Sequence, residues 1–420
     1  MPVSLPEVYI GKDAISALQA FIKQKNYTAF TLVTDENEYE ALGRDVEAAI
    51  RKTDPTMRTI VLPGNATPDE TYLIQVLLEP DERQRVYLGV GSGTLTDIVR
   101  FSSHRAGMPF ISMPTAASVD GFASTGCALT IQNYKQTIMA AAPVGIFADL
   151  DTLTHAPRPL IASGFGDMFG KYTALSDWPI SYHFAGEAFS QDIADRSRRA
   201  LQTCVDQVPV LNEQWETAMQ KLMEGLVEEG ICMLLQGNSR PASGAEHVIS
   251  HFWEMKLARE SRPPVFHGAK VGLATILVAR YYELLRQIDR KEALERLKAA
   301  RLPDAEHEVT RIRSVFGTAA DLVLSVQHKA IYQTPEQFAQ VCSKIGENWD
   351  LIQKFAATVP TSSEIKEMLV KVGGVTHPSQ LGLTDTDVQE ALEYGFYLRK
   401  YFTILNLGRI LSIPQPEGVF

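Results

Sequence analysis

The stretch RVYLGVGSGTLTDIVR (Arg85–Arg100) runs from an apolar segment through glycines 89, 91 and 93 into apolar residues at helical spacing. It reads as strand, tight turn and helix. The glycines let backbone amides come close to a phosphate, and a helix N-terminus adds partial positive charge. The spacing is GxGxG, not the GxGxxG of the dinucleotide-binding fingerprint. By itself the motif also fits a plain tight turn. Its place at the C-terminal end of a strand favours pyrophosphate binding.

Working outward, the same pattern recurs. AFTLVTD (Ala29–Asp35), RTIVLPG (Arg58–Gly64) and PFISMPT (Pro109–Thr115) are further short apolar runs. EYEALGRDVEAAIRK, DETYLIQVLLE and LTDIVRFSSHR lie between them and have helical periodicity. Strand–helix alternation with near-continuous apolar strands predicts a parallel sheet covered on both faces. Beyond about Asp151 strand signals nearly vanish and long amphipathic stretches take over, for example WETAMQKLMEGLVEEGICMLLQ and KVGLATILVARYYELLRQI. The expected fold is a Rossmann-like α/β nucleotide-binding domain over residues 1–155 and an all-α domain over 156–420. The prolines of THAPRP (Thr154–Pro159) mark the boundary.

At 420 residues the chain is long enough for two such domains. A net charge of −10 with no long Lys/Arg block argues against a nucleic-acid partner. The four cysteines are scattered with no CxxC, as expected of free thiols in a reducing cytosol. The N-terminus lacks a signal-peptide pattern. The longest apolar run, VGLATILVA (Val271–Ala279), is about half the length a bilayer requires. A soluble, cytoplasmic protein with no membrane partner is expected.

Three further segments carry chemistry. PTAASVDGFAS (Pro114–Ser124) follows a strand and is a small polar loop suited to a nucleotide or substrate, with Asp120 its only charge. SGFGDMFGKYTAL (Ser163–Leu175) holds Gly164 and Gly166, which bring the chain close to something. Its Asp167 and Lys171 are spaced as a helical i, i+4 ion pair. GAEHVISHFWEMK (Gly244–Lys256) places His247 and His251 on one helix face, and His267 follows in PPVFHGAKVG. The zinc-protease signature HExxH is absent. Spacing leaves the histidines open as metal ligands or as hydrogen-bonded core residues. Asp35, ending its strand, could accept from a ribose 2′-hydroxyl and repel a 2′-phosphate, which predicts NAD(H) over NADP(H).

Taken in order, GVGSGTLTDIVRF, PTAASVDGFAS, ADLDTL, GFGDMFGK, SRPASGAEHVISHFWEM and HGAKVG resemble the glycerol-1-phosphate dehydrogenases, most closely the bacterial AraM type. These belong to the iron-dependent alcohol dehydrogenase and dehydroquinate synthase superfamily. The resemblance implies a metal-dependent oxidoreductase that interconverts sn-glycerol 1-phosphate and dihydroxyacetone phosphate with NAD(P), and so a role in phospholipid metabolism. It implies one divalent ion, zinc or nickel, an active site in a cleft between the domains, and a homodimer. Carried over position by position, Asp167, His247 and His267 fall on metal ligands. Asp120 and His251 fall on substrate-contacting positions, and Asp167 also touches substrate. Asn37, Gly93, Thr94, Leu95, Thr96, Asp97, Thr115, Ala116, Ala117, Ser118 and Ser124 fall on cofactor-binding positions. Lys171 is a candidate for the substrate phosphate. Rival readings are a glycerol dehydrogenase, a dehydroquinate-synthase-like sugar-phosphate cyclase, or a nucleotide-sensing regulator without turnover.

Overall fold

The structure is a computed structural model that describes residues 4–78, 84–131, 134–416 and 418–420. Residue 79, the last of the DETYLIQVLLE stretch, and the first three of the N-terminal stretch lie outside them. The chain forms two compact units: Met1–Met168 with Asp195–Ser239, and Phe169–Ala194 with Arg240–Phe420.

The first unit is built on a six-stranded sheet of order β1-β8-β5-β4-β2-β3. Its strands are β1 (Glu7–Gly11), β2 (Phe30–Asp35), β3 (Arg58–Leu62), β4 (Val86–Val90), β5 (Phe110–Met113) and β8 (Gly145–Asp149). Every pairing is parallel. An antiparallel hairpin, β6 (Gly126–Ile131) and β7 (Tyr134–Met139), stands apart. The helices are α1 (Ala14–Lys25), α2 (Glu36–Glu38), α3 (Arg44–Ile50), α4 (Glu70–Leu77), α5 (Gly93–Arg105), α6 (Leu150–His155) and α7 (Arg158–Phe169).

The four runs read from sequence as strands are β2 to β5. β2, β4 and β5 are buried at every position, because helices cover both faces. Side chains alternate between two cores, as a strand requires. Leu32 and Leu88 join Leu18, Phe21 and Val46 on one face; Val33 and Tyr87 join Val76, Ile98 and Val99 on the other. β1, β8 and the hairpin were not foreseen. β1 is an edge strand with no buried residue, so it carries little apolar signal.

The second unit is helical. It begins with α8 (Lys171–Ala185); α9 (Gln191–Val205) then carries the chain back to the first unit, which also holds α10 (Trp215–Gln236), and α11 (Ala245–Arg259) and α12 (His267–Arg286) return to the second. α12 is buried along most of its length and packs against α11 and the helices Trp349–Ala356 and Ser362–Lys371. Fully buried Asp177 of α8 ties this unit together. Its carboxylate accepts from the Tyr282 hydroxyl at 2.7 Å, the Ile404 amide at 2.7 Å and the Ala245 amide at 2.8 Å. Ala245 is the first residue of α11, so this bond satisfies one of that helix's exposed N-terminal donors.

Candidate active site

In the first unit the chain runs from β2 outward to β3, then returns to lay β4 on the other side of β2. Loops from β2 and β4 therefore leave in opposite directions. Their carboxyl ends flank a topological switch point, where parallel α/β sheets bind ligands. Asn37 follows β2, Gly93–Asp97 opens α5 after β4, and Thr115–Ser118 follows β5. Adjacent strands thus bring these expected cofactor residues to one end of the sheet.

The glycine turn after β4 is tight. Gly91 has φ 157°, and a Cβ there would lie 2.7 Å from Leu95 Cβ. Ser92 at the N-cap makes no side-chain cap to α5. The side chains of this turn are partly committed inward. Leu95 packs in the core. Asp97 accepts from Arg100 Nη1 at 2.9 Å and from the Ala128 amide at 3.2 Å. Asn37 donates to the Gly64 carbonyl at 3.1 Å. Asp35 is buried and accepts from the Glu38 amide at 2.8 Å, so it serves as the N-cap of α2.

The Pro114–Ser124 loop is held from three sides. Buried Arg100 donates to the carbonyls of Gly121, Phe122 and Gly126 at 2.6, 2.9 and 2.7 Å. On α7, a Cβ at Gly164 would lie 2.0 Å from the Ala117 carbonyl oxygen, and Ser163 Oγ donates to the Ser118 carbonyl at 3.2 Å. On α10, a Cβ at Gly230 would meet the Ala123 nitrogen at 2.8 Å. Thr115, Ala116, Ala117, Ser118 and Ser124 are all buried as a result. The Asp120 amide donates to Asp167 Oδ2 at 3.0 Å, joining two of the expected catalytic residues directly. Asp167 and Lys171 are each fully buried, which removes the surface ion pair as an account of their spacing.

In the second unit the three histidines converge. Ring centroids lie 5.3 Å apart for His247 and His267, 5.7 Å for His251 and His267, and 6.1 Å for His247 and His251. His247 and His251 come from successive turns of α11, and His267 opens α12. Among the described residues of this unit one His/carboxylate set could hold a metal ion, His251 with Glu254 and His267; the expected ligands here were His247 and His267 instead. The ring neighbours choose between them.

Glu246 is fully buried. It accepts from the Gly244 amide at 2.6 Å and the Thr173 hydroxyl at 2.5 Å, and lies 2.8 Å from His247 Nδ1. Burial alone would raise its pKa, but His247, Thr173 and Gly244 outweigh that and hold it below the ordinary glutamate value. An ionised carboxylate only accepts, so Nδ1 of His247 carries the proton and its Nε2 lone pair is available to a metal. Arg399 does the reverse at His251. Its Nη2 lies 3.3 Å from His251 Nδ1. A guanidinium only donates, so Nδ1 accepts and Nε2 carries the proton. In that state neither ring nitrogen of His251 can bind a metal. Glu254 is ion-paired with Lys270 at 3.3 Å. The chemistry therefore favours His247 over His251 as a ligand beside His267.

Arg100, Glu246 and Arg399 were not foreseen. Their roles depend on partners remote in sequence or, for Glu246, on the direction of a buried side chain. The two glycines before Asp167 were a usable signal, and at Gly164 the close approach is real.

A parallel sheet followed by a helical unit is a fold this chain shares with an iron-containing alcohol dehydrogenase, at a TM-score of 0.58 and 10% identity over 98% of each chain, and the iron-containing alcohol dehydrogenase family model matches residues 9–157. NADH-dependent butanol dehydrogenase A of Thermotoga maritima shares that fold, with a TM-score of 0.59 at 12% identity over 98% of each chain. Glycerol-1-phosphate dehydrogenase [NAD(P)+] of Bacillus subtilis is 40% identical, covering 76% of this chain and 84% of that one. The enzyme of the same name from Geobacillus stearothermophilus is 34% identical, covering 96% and 92%. The chain belongs to this glycerol-1-phosphate dehydrogenase family.

Proposed function

We propose that this chain is a metal-dependent, NAD(P)-linked oxidoreductase that interconverts sn-glycerol 1-phosphate and dihydroxyacetone phosphate by hydride transfer at C2. Family membership supports the reaction. The observation that carries the site is the opposite partners of two histidines one helical turn apart, a carboxylate at His247 Nδ1 (Glu246) and a guanidinium at His251 Nδ1 (Arg399).

Asp167, His247 and His267 would hold one divalent ion, zinc or nickel, and leave coordination positions open. The ion supplies Lewis acidity to the C2 oxygen, and the nicotinamide supplies or accepts the hydride. Glu246 aims the His247 lone pair. His251 offers its Nε2–H to the substrate oxygen, with Asp120 as a second substrate-contacting group. The N-terminus of α5 and the Pro114–Ser124 loop would bind the dinucleotide, through Asn37, Gly93–Asp97, Thr115–Ser118 and Ser124. Cofactor binding would fall to residues 1–155, and metal and substrate binding mainly to residues 156–420.

The test is oxidation of NADH in the presence of dihydroxyacetone phosphate, against unphosphorylated dihydroxyacetone, with zinc or nickel added. Preference for the phosphorylated ketone is expected. Preference for dihydroxyacetone would make the chain a glycerol dehydrogenase, and absence of net NADH turnover would exclude both. Among the described residues no helix is long and apolar enough to cross a membrane. A cytoplasmic homodimer completes the proposal; a monomer by light scattering would overturn that part.

A further inference from the structure

We propose that Arg399 reads the phosphate group of the substrate while holding His251 as an Nε2–H donor. The inference rests on the glycerol-1-phosphate reading of this site and names the group that would tell that substrate from its unphosphorylated analogue.

Three observations carry it. The first is placement. Arg399 follows the short 3-10 turn Gly395–Leu398, which packs on α11 beside the histidines. Buried Gln327 donates to the carbonyls of Phe396, Tyr397 and Arg399 at 3.3, 2.8 and 2.7 Å. Just downstream, the amide of Ile404 is fixed on Asp177. The backbone is thus pinned on both sides of Arg399, and its guanidinium reaches His251 at 3.3 Å.

The second is the comparison with other cations. Lys270 is buried, donates to the Val265 carbonyl at 3.3 Å and is paired with Glu254. Lys171 is fully buried. Arg399 is half-buried, so its guanidinium can meet a ligand.

The third is chemistry. One carbon and one ester oxygen separate C2 from phosphorus, so a substrate with C2 at the histidine cluster puts its phosphate within a side chain's reach of it. Of the other groups assigned to substrate, Asp120 and Asp167 are acids that repel a phosphate. A guanidinium carries five N–H donors in a planar fork. It can give one to His251 and a bidentate pair to phosphate oxygens.

The experiment compares kcat/KM for dihydroxyacetone phosphate and for dihydroxyacetone in wild type, Arg399→Ala, Arg399→Lys and His251→Ala, each loaded with zinc. Metal content is checked by elemental analysis. Arg399→Ala should lose roughly a hundredfold with the phosphorylated ketone, the scale of one charged hydrogen-bonded contact. It should lose less than about a third as many orders of magnitude with dihydroxyacetone. Arg399→Lys should recover part of the difference, since it keeps the charge but not the fork. Inhibition by inorganic phosphate should weaken about tenfold or more in Arg399→Ala. His251→Ala should slow both substrates alike. Equal losses on both substrates in Arg399→Ala, with unchanged phosphate inhibition, would overturn the proposal. If Arg399→Ala does not fold, Arg399→Lys decides by the same selectivity ratio and phosphate inhibition. A wild type that ignores dihydroxyacetone phosphate would sink the underlying substrate reading instead.

Discussion

Glu246 stands one residue before His247 and accepts a hydrogen bond from its Nδ1–H, whereas Arg399 donates to Nδ1 of His251 one turn later. Identical side chains on one helix face are thereby given opposite chemistry, a lone pair from one and an N–H from the other. Replacing Glu246 by Gln keeps the volume but removes the charge that favours the Nε2 lone pair. Zinc affinity should fall about 10–100-fold, the usual effect of a lost outer-shell carboxylate. Unchanged affinity in a competitive zinc titration would show that His247 needs no such partner. His251→Ala should retain metal and lose at least roughly tenfold in kcat/KM, or about 1.4 kcal/mol of transition-state stabilisation. Loss of the metal in that variant would instead make His251 a ligand.

At the scale of elements, the Pro114–Ser124 loop owes its position to helices that touch its backbone. Gly164 of α7 and Gly230 of α10 are the points of closest approach. A methyl at Gly164 cannot fit 2.0 Å from a carbonyl oxygen, so the loop or the helix must move. Gly164→Ala should destabilise the protein by roughly 1–3 kcal/mol and raise KM for the dinucleotide. Native stability by denaturant titration with an unchanged KM would show that the loop is not held there. A second element-level effect concerns Asp387, which accepts from the Thr384 amide at 2.8 Å and pairs with Arg262 at 3.0 Å. Burial opposes its ionisation, but Arg262 and Thr384 prevail and hold its carboxyl down to about 2. The group is depressed in the folded state, so it stabilises the protein above the unfolded aspartate pKa near 4. That contribution is lost as pH falls from about 4 to about 2. Asp387→Asn should therefore be less stable than wild type by roughly 1–2 kcal/mol at pH 7, after allowance for solvent screening, with the gap closing by pH 2. A gap independent of pH would assign the effect to something other than the charge on Asp387.

For the molecule as a whole, each unit has its own buried apolar residues, so a metal ion is not needed to form either core. Chelation should abolish turnover while leaving far-UV circular dichroism essentially unchanged, and zinc should raise Tm because it binds only the folded site. Loss of helical signal on chelation would make the ion structural. The sequence by itself determined the parallel sheet, since β2, β4 and β5 are runs of apolar residues that only a doubly covered sheet can bury. It also determined the candidate metal and cofactor positions, through an ordered series of motifs, and the helical character of the later chain, through its periodicity. It did not disclose β1 or the hairpin, whose residues are less completely buried than those of the central strands. Nor did it disclose that α10 packs on the Pro114–Ser124 loop, because that contact joins segments far apart in the chain. Only the tertiary structure supplied the partners from which the proton positions on His247 and His251 follow. Spacing fixes the helix face a side chain occupies, but protonation is fixed by the partner across the ring. For His251 that partner, Arg399, is 148 residues away.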